Sequence, residues 1–155
     1  MDVEILKKVA LFQFMSAPQL MKLLGFLREV KYTKNTHILR SGAKGTEMFV
    51  IADGMVRISQ IIAGRNEEAL TILEPGAYFG EMALIEDTTR SADAIAHTDC
   101  MLYELSREQF DYLTFTDKEI TINMLWSFVI TLSNRLRDTN NKLQSFIALS
   151  AYGIK

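Results

Sequence analysis

Turn residues divide the middle of the chain into short segments at regular spacing, and this pattern constrains the fold more than any other feature of the sequence. The segments between residues 31 and 104 are rich in β-branched and aromatic side chains, which favour strands. Several breaks contain glycine, which adopts the positive φ angles of tight turns. The predicted strands cover 37–40, 47–51, 55–62, 69–73 and 91–105, and the breaks are Ser41-Gly42, Lys44-Gly45, Ala52-Asp53-Gly54, Ala63-Gly64-Arg65 and Glu74-Pro75-Gly76. Such spacing is typical of an antiparallel sandwich or jelly roll.

Helices are expected on both sides of the β-rich region. Ser16 and Gln19 form an S-x-x-Q helix start with Pro18 in the first turn, and Ser106 and Gln109 form a second one. The 155 residues fit a single domain. We therefore predict an α+β fold in which an antiparallel β jelly roll (36–105) lies between N-terminal helices (1–35) and C-terminal helices (106–155). The last helix is long, follows a break near 114–117 and extends to about residue 146.

The long C-terminal helix carries a seam of residues at alternating spacings of three and four, a heptad pattern that needs a partner surface. The seam residues are Ile122, Leu125, Val129, Leu132, Leu136, Thr139, Leu143 and Phe146. A second copy of the helix in a homodimer would cover them. Packing of the seam against the chain's own β-roll is the alternative.

The charge balance and the cysteine content indicate which classes of partner and which cellular compartment are expected. The chain has 17 Lys and Arg against 19 Asp and Glu, so no excess positive charge attracts nucleic acid or an anionic membrane. The single cysteine, Cys100, excludes an internal disulfide and favours a reducing compartment. The apolar stretch at 124–132 is too short to span a bilayer. We expect a cytoplasmic protein that has neither nucleic acid nor a membrane as a partner.

The segment 76–92 carries the residues that we expect to bind a ligand. Consecutive amides at 80–83, beside a glycine, let an anion approach the main chain. Arg90 follows with a guanidinium that can bind two phosphate oxygens, and Ser91 adds a hydroxyl. Glu81 is a poor phosphate ligand but a good acceptor for a sugar hydroxyl. Together these groups suit a ribose with an attached phosphodiester.

Each of these residues taken alone has a simpler interpretation. Arg90 is compatible with an exposed turn arginine, and Glu81 with a cap for a local amide. Thr139 is compatible with a polar seam residue that sets the helix register.

The segment resembles the phosphate-binding cassette of cyclic nucleotide-binding domains, whose pattern is Phe-Gly-Glu-Leu-Ala-Leu, a short spacer, and Arg-(Ser/Thr/Ala)-Ala. Met82 replaces the usual leucine and Ala94 the usual valine after the arginine, and both keep apolar character. The resemblance implies that amides and the arginine hold the cyclic phosphate of cAMP or cGMP, while the glutamate binds the ribose 2′-hydroxyl. The ligand-binding residues that it implies are Gly80, Glu81, Met82, Ala83, Arg90, Ser91 and Ala92.

The long helix resembles the dimer helix of the catabolite activator protein group in the stretch from Arg135 to Leu143. In that group a polar pair after an Arg-Leu step touches the purine. The resemblance implies that Thr139 and Asn140 lie near the base, either in the same subunit or across a homodimer.

These observations favour a stand-alone sensor of cAMP or cGMP, with no cofactor or metal, that couples binding to movement of its C-terminal helix and acts on an effector protein. One alternative is a ligand-free protein-interaction module on the same roll. Another is the sensor part of a transcription regulator, which the few residues after the seam and the negative net charge disfavour.

Two further classes are not expected. An enzyme such as a phosphodiesterase is disfavoured because the two histidines lack metal-ligand spacing and no nucleophile lies beside a base. A haem sensor would need His37, His97 or Cys100 as axial ligand, and a surface histidine and a core cysteine are ordinary in strands.

Overall fold

The computed structural model describes residues 2–61 and 67–152, with the side chains of 2–60 and 69–148. The helices are α1 (Val3–Lys7), α2 (Ala17–Leu24), α3 (Arg107–Thr116) and α4 (Lys118–Tyr152), with 3₁₀ helices at Ala10–Phe12 and Glu81–Leu84. The strands are β1 (Arg28–Tyr32), β2 (His37–Leu39), β3 (Glu47–Asp53), β4 (Val56–Ile61), β5 (Glu67–Leu73), β6 (Tyr78–Phe79), β7 (Asp93–Ala96) and β8 (Cys100–Ser106). The predicted turn at 63–65 and the predicted strand end at Ile62 lie outside the described residues.

The strands form two four-stranded antiparallel sheets, ordered β1-β8-β3-β6 and β2-β7-β4-β5. With helices before and after them, they confirm the predicted fold class. Strand β1 begins at Arg28, inside the part predicted to be helical. The predicted strand at 91–105 is two strands, because Thr98 and Asp99 interrupt it. The Thr98 hydroxyl accepts from the Met55 amide (2.9 Å), and the Asp99 carboxylate accepts from the Lys34 amide (2.8 Å).

Strand β3 is buried on both faces and separates two apolar cores. Because side chains alternate along a strand, Phe49 and Ile51 face the space between the sheets, where they meet residues of the other sheet such as Ala94. Met48 and Val50 point the other way and pack with the helices. The helices are therefore fixed to the outer face of one sheet.

Both predicted helix starts are confirmed. The Ser16 amide donates to Gln19 Oε1 (2.9 Å), and the Ser106 amide donates to Gln109 Oε1 (3.1 Å). The predicted break after the second start is also present, since Asp117 separates α3 from α4.

Among the described side chains of helix α4, the buried ones all lie in its first half. Ile120, Met124 and Phe128 are buried, and the Phe128 ring meets the Phe110 ring edge-on with centroids 6.4 Å apart. The seam lies on another face, where Val129, Leu132, Leu136 and Leu143 are exposed. Among the described residues, nothing in the chain's own roll covers these four seam side chains. Within the part of the chain that the structure describes, no helix is both long and apolar enough to cross a membrane.

Candidate ligand-binding site

A cavity of about 370 Å³ lies against the second sheet, beside the 3₁₀ helix Glu81–Leu84, which we call the cassette helix. Its size is ordinary for a small-molecule site. It is lined by every cassette residue that the sequence predicts to bind the ligand: Gly80, Glu81, Met82, Ala83, Arg90, Ser91 and Ala92.

The Arg90 guanidinium is held in the wall of this cavity. Only 8% of the residue is exposed. Nη1 donates to the Gly80 carbonyl (3.1 Å), while Nη2 donates to the Glu47 carbonyl (2.8 Å) and contacts Glu47 Oε2 (3.2 Å). Nε is buried and has no hydrogen-bond partner among the described residues. Burial lowers the pKa of Arg90, and the Glu47 carboxylate opposes that shift.

Two glycines allow the backbone to approach this guanidinium. A Cβ at Gly45 would lie 2.5 Å from Arg90 Nη2, and a Cβ at Gly80 would lie 3.0 Å from Nη1. Gly80 also has φ +78°, a left-handed conformation that other residues adopt at a cost. These glycines fix the guanidinium against the start of the cassette helix.

The cassette helix is held at both ends. At its start the Ala83 amide donates to the Gly80 carbonyl (3.1 Å), so the amides of Glu81 and Met82 are the first of the turn, where helical amides lack a carbonyl of their own helix. At its end Arg107 Nε donates to the Ala83 carbonyl (2.8 Å), and Nη2 donates to the Glu86 carbonyl. Arg107 belongs to the first turn of α3, so α3 and the cassette helix are directly bonded.

Glu81 connects the cavity to α4. The residue is only 4% exposed, and its carboxylate accepts a hydrogen bond from Arg135 Nη1. The Arg135 guanidinium also lies 5.9 Å from the centre of the Tyr78 ring, and the Tyr78 hydroxyl donates to Thr131 Oγ1 (2.8 Å). Burial raises the pKa of Tyr78, so it stays protonated as a donor. Glu81 therefore links the cassette helix to α4.

The rest of the cavity wall is mainly apolar. Leu39, Ile58 and Leu73 come from β2, β4 and β5, and the Thr71 hydroxyl is the polar exception among them. Such a wall suits a flat apolar or aromatic group, with one polar contact for orientation.

Thr139 and Asn140 do not line the cavity within this chain. The Thr139 hydroxyl donates to the Arg135 carbonyl (2.8 Å), and Asn140 is exposed. Sequence reasoning missed Arg135, which lies one helical turn before Thr139 and does line the cavity. A signal for it existed, because a buried carboxylate such as Glu81 needs a cation. Glu47 and Arg107 carry no comparable local signal.

The described residues contain no group of His, Cys, Asp and Glu side chains that would hold a metal ion. Cys100 is free and buried, and its thiol donates to the carbonyls of Met55 and Thr98 (both 3.1 Å). The cavity offers an arginine, first-turn amides, a carboxylate and an apolar wall. The chemistry of this set suits an anionic ligand that carries hydroxyl groups.

Comparison with known proteins agrees with this description. Residues 29–117 match the profile of the family described as Cyclic nucleotide-binding domain. Over 130 residues the chain is 33% identical to cGMP-dependent protein kinase 2 of Mus musculus. The matched region covers 83% of this chain and 17% of the kinase. The chain belongs to the cyclic nucleotide-binding domain family. It corresponds to a small part of that kinase's length.

Two solved structures resemble it in three dimensions. The catabolite activator protein of Thermus thermophilus superposes with a TM-score of 0.80 and 28% identity, covering 88% of this chain and 62% of that one. The regulatory domain of Toxoplasma gondii PKA, crystallised with cAMP, gives a TM-score of 0.65 and 28% identity over 71% of this chain and 42% of that one.

Proposed function

We propose that this chain is a sensor domain that binds cAMP or cGMP in the cavity beside the cassette helix. The observation that carries the proposal is the buried Arg90 guanidinium, which donates to the Gly80 carbonyl and lines the same cavity as the first residues of the cassette helix. A cyclic phosphate bears a single negative charge, and a charged guanidinium with amides beside it binds such a group strongly.

The ribose is proposed to bind Glu81. A 2′-hydroxyl would donate to the carboxylate that now accepts from Arg135. The carboxylate has a second oxygen, so sharing and displacement of Arg135 are both compatible with its chemistry. Either one changes the interaction between the cassette helix and α4, and coupling requires that the ligand bind the two arrangements of α4 with different affinity. We therefore propose that binding shifts α4.

The purine is proposed to lie along the apolar wall formed by Leu39, Ile58 and Leu73. Thr139 and Asn140 are exposed on α4, and we propose that they reach the base across a homodimer formed through the α4 seam.

The single buried cysteine supports a reducing, cytoplasmic compartment. In this role the domain is regulatory rather than catalytic and passes its signal to an effector protein.

Calorimetric titration of wild type and Arg90→Leu tests the proposal. We expect Arg90→Leu to bind the preferred cyclic nucleotide at least about 30-fold more weakly, because loss of a desolvated charge pair costs about 2–5 kcal/mol. Arg137→Leu removes an exposed arginine of α4 whose guanidinium donates to Asn134, and it should leave the affinity unchanged. Equal affinities for Arg90→Leu and wild type would refute the assignment. If wild type binds neither nucleotide, the ligand-free interaction module is the better description.

A further inference from the structure

A second concave surface lies on the face of the molecule formed by α3 and the start of β1. It has a volume of about 700 Å³ and shares no lining residue with the cassette cavity. We call it the α3 groove, and its walls are Phe26, Glu108, Asp111, Tyr112, Phe115 and the Arg28–Glu104 pair.

The outward face of α3 carries large aromatic side chains that are exposed to solvent. Glu108, Asp111, Tyr112 and Phe115 recur at spacings of three, one and three, which places them on one side of the helix. Phe115 is 82% exposed and Tyr112 is 60% exposed. The opposite wall continues the aromatic surface, because the rings of Phe26 and Tyr112 have centroids 6.0 Å apart. Exposed aromatic side chains that lie side by side offer a partner an apolar surface to cover.

The charge of the groove is negative. Arg28 Nη2 contacts both carboxylate oxygens of Glu104 (2.8 and 2.9 Å), so the two opposite charges of this pair cancel. Glu108 and Asp111 remain exposed, and neither forms an ion pair with any described residue. Two unneutralised carboxylates beside aromatic rings attract a cation, which gains both Coulomb and cation–π interactions there.

The shape favours an extended peptide segment over a small organic cation. The groove is larger than one side chain needs, and it opens at Arg28 onto β1, the edge strand of its sheet. An extended segment can add main-chain hydrogen bonds at such an edge while its side chains enter pockets. Arginine and lysine fit the groove because their stems pack on apolar surface while their charged ends reach carboxylates.

We propose that the α3 groove binds a segment of a partner protein that carries an arginine or lysine beside an apolar residue. The inference does not depend on the proposed nucleotide ligand. It does give that ligand a route to a partner, because Arg107 in the first turn of α3 bonds to the Ala83 carbonyl of the cassette helix.

Calorimetry with a synthetic peptide of alternating arginine and leucine tests this proposal on the full chain. Comparison peptides replace leucine by serine or arginine by glutamate. We expect saturable binding of the arginine–leucine peptide, with both comparison peptides at least about tenfold weaker, a difference of about 1.4 kcal/mol. Wild type that binds none of the peptides, or all of them equally, would overturn the proposal.

Three paired variants separate the groove from general electrostatic attraction. Tyr112→Ser with Phe115→Ser removes the aromatic surface, and Glu108→Gln with Asp111→Asn removes the free charges. We expect each pair to weaken peptide binding at least about tenfold. As a control, Asp53→Asn with Glu74→Gln removes two exposed carboxylates outside the groove. It should change the peptide affinity less than about twofold.

All substituted side chains are exposed, so a melting curve like that of wild type is expected for every variant. An equal loss of affinity in the Asp53 and Glu74 control would show non-specific attraction and refute the proposal. If wild type self-associates in sedimentation and the Tyr112 and Phe115 variant does not, the occupant is a second copy of this chain and the proposed partner is wrong.

Discussion

At the scale of single residues, the contact between Glu81 and Arg135 joins the cassette helix to α4 by an ion pair. The carboxylate is almost fully buried, and Arg135 is the cation that compensates it. We expect Arg135→Gln to lower the free energy of unfolding by about 1–2 kcal/mol, because the buried Glu81 carboxylate loses its charged partner. The loss is not larger because the Arg135 side chain is half exposed, so water screens the ion pair.

A double-mutant cycle isolates this contact. Urea unfolding of Arg135→Gln, Glu81→Gln and the double variant should show effects that do not add, since the second change removes the charge that the first leaves unpaired. Arg137→Gln, on the exposed part of α4, serves as the control and should be neutral. Additive effects would mean that the two side chains do not interact in solution.

The sequence predicted the cassette residues because they are close along the chain. Gly80, Glu81 and Arg90 belong to one turn and loop, so their spacing alone indicates that they share a site. Arg135 and Glu47 were not predicted, because they reach the site only through the packing of α4 and β3. Local spacing contains no information about such long-range placement.

At the scale of secondary-structure elements, Asp117 fixes the junction between α3 and α4. Its Oδ1 accepts from the Ile120 amide (3.1 Å) as a helix cap, and its Oδ2 accepts from Lys22 Nζ (2.7 Å) of α2. The hydrogen bond from Lys22 is the main reason that the pKa of Asp117 is lowered. Three helices therefore meet at one carboxylate.

We expect Asp117→Ala to destabilise the fold by about 1 kcal/mol at neutral pH through loss of the cap. Because the folded pKa lies below the unfolded value of 3.8, the contribution of the charged form is complete above that pH and is lost as pH falls through the folded pKa. The difference between wild type and variant should therefore shrink towards acid pH in urea unfolding. Asp138→Ala, an exposed position on α4, is the control and should show no such trend. A difference that stays constant from neutral to acid pH would contradict this role.

Helix starts and turns were predictable because each depends on a few neighbouring residues, as the Ser106 and Gln109 capping box shows. The start of β1 was not predictable, since Arg28 becomes a strand residue only by pairing with Glu104 on β8. The division of 91–105 into β7 and β8 likewise depends on hydrogen bonds to Met55 and Lys34, which are distant in sequence.

At the scale of the whole molecule, the exposed seam of α4 bears on oligomeric state. Leu132, Leu136 and Leu143 repeat on one face that the chain's own roll does not cover. We expect a homodimer through this face and expect Leu136→Asp to shift it to monomer in sedimentation equilibrium, because a charge in a helix seam is left unpaired and desolvated. Leu136 is 62% exposed, so the fold of the subunit should be retained.

Asn141→Asp introduces the same charge on α4 outside the seam and should leave the dimer intact. Wild type that is monomeric with and without nucleotide would contradict the dimer.

The fold class itself followed from the even spacing of turns, whereas the order of strands within each sheet depends on long-range pairing that the spacing does not specify.

The central claim is that Arg90 and the cassette amides form a site for a cyclic phosphate. Melting curves of wild type and Arg90→Leu with cAMP, cGMP and their linear monophosphates test it most directly. With ligand at about 100 times its Kd, we expect the preferred cyclic nucleotide to raise the wild-type Tm by about 5–10 °C, with little shift from the linear forms or for Arg90→Leu. A wild-type Tm that no cyclic nucleotide changes at millimolar concentration, or the same shift in Arg90→Leu, would contradict the claim.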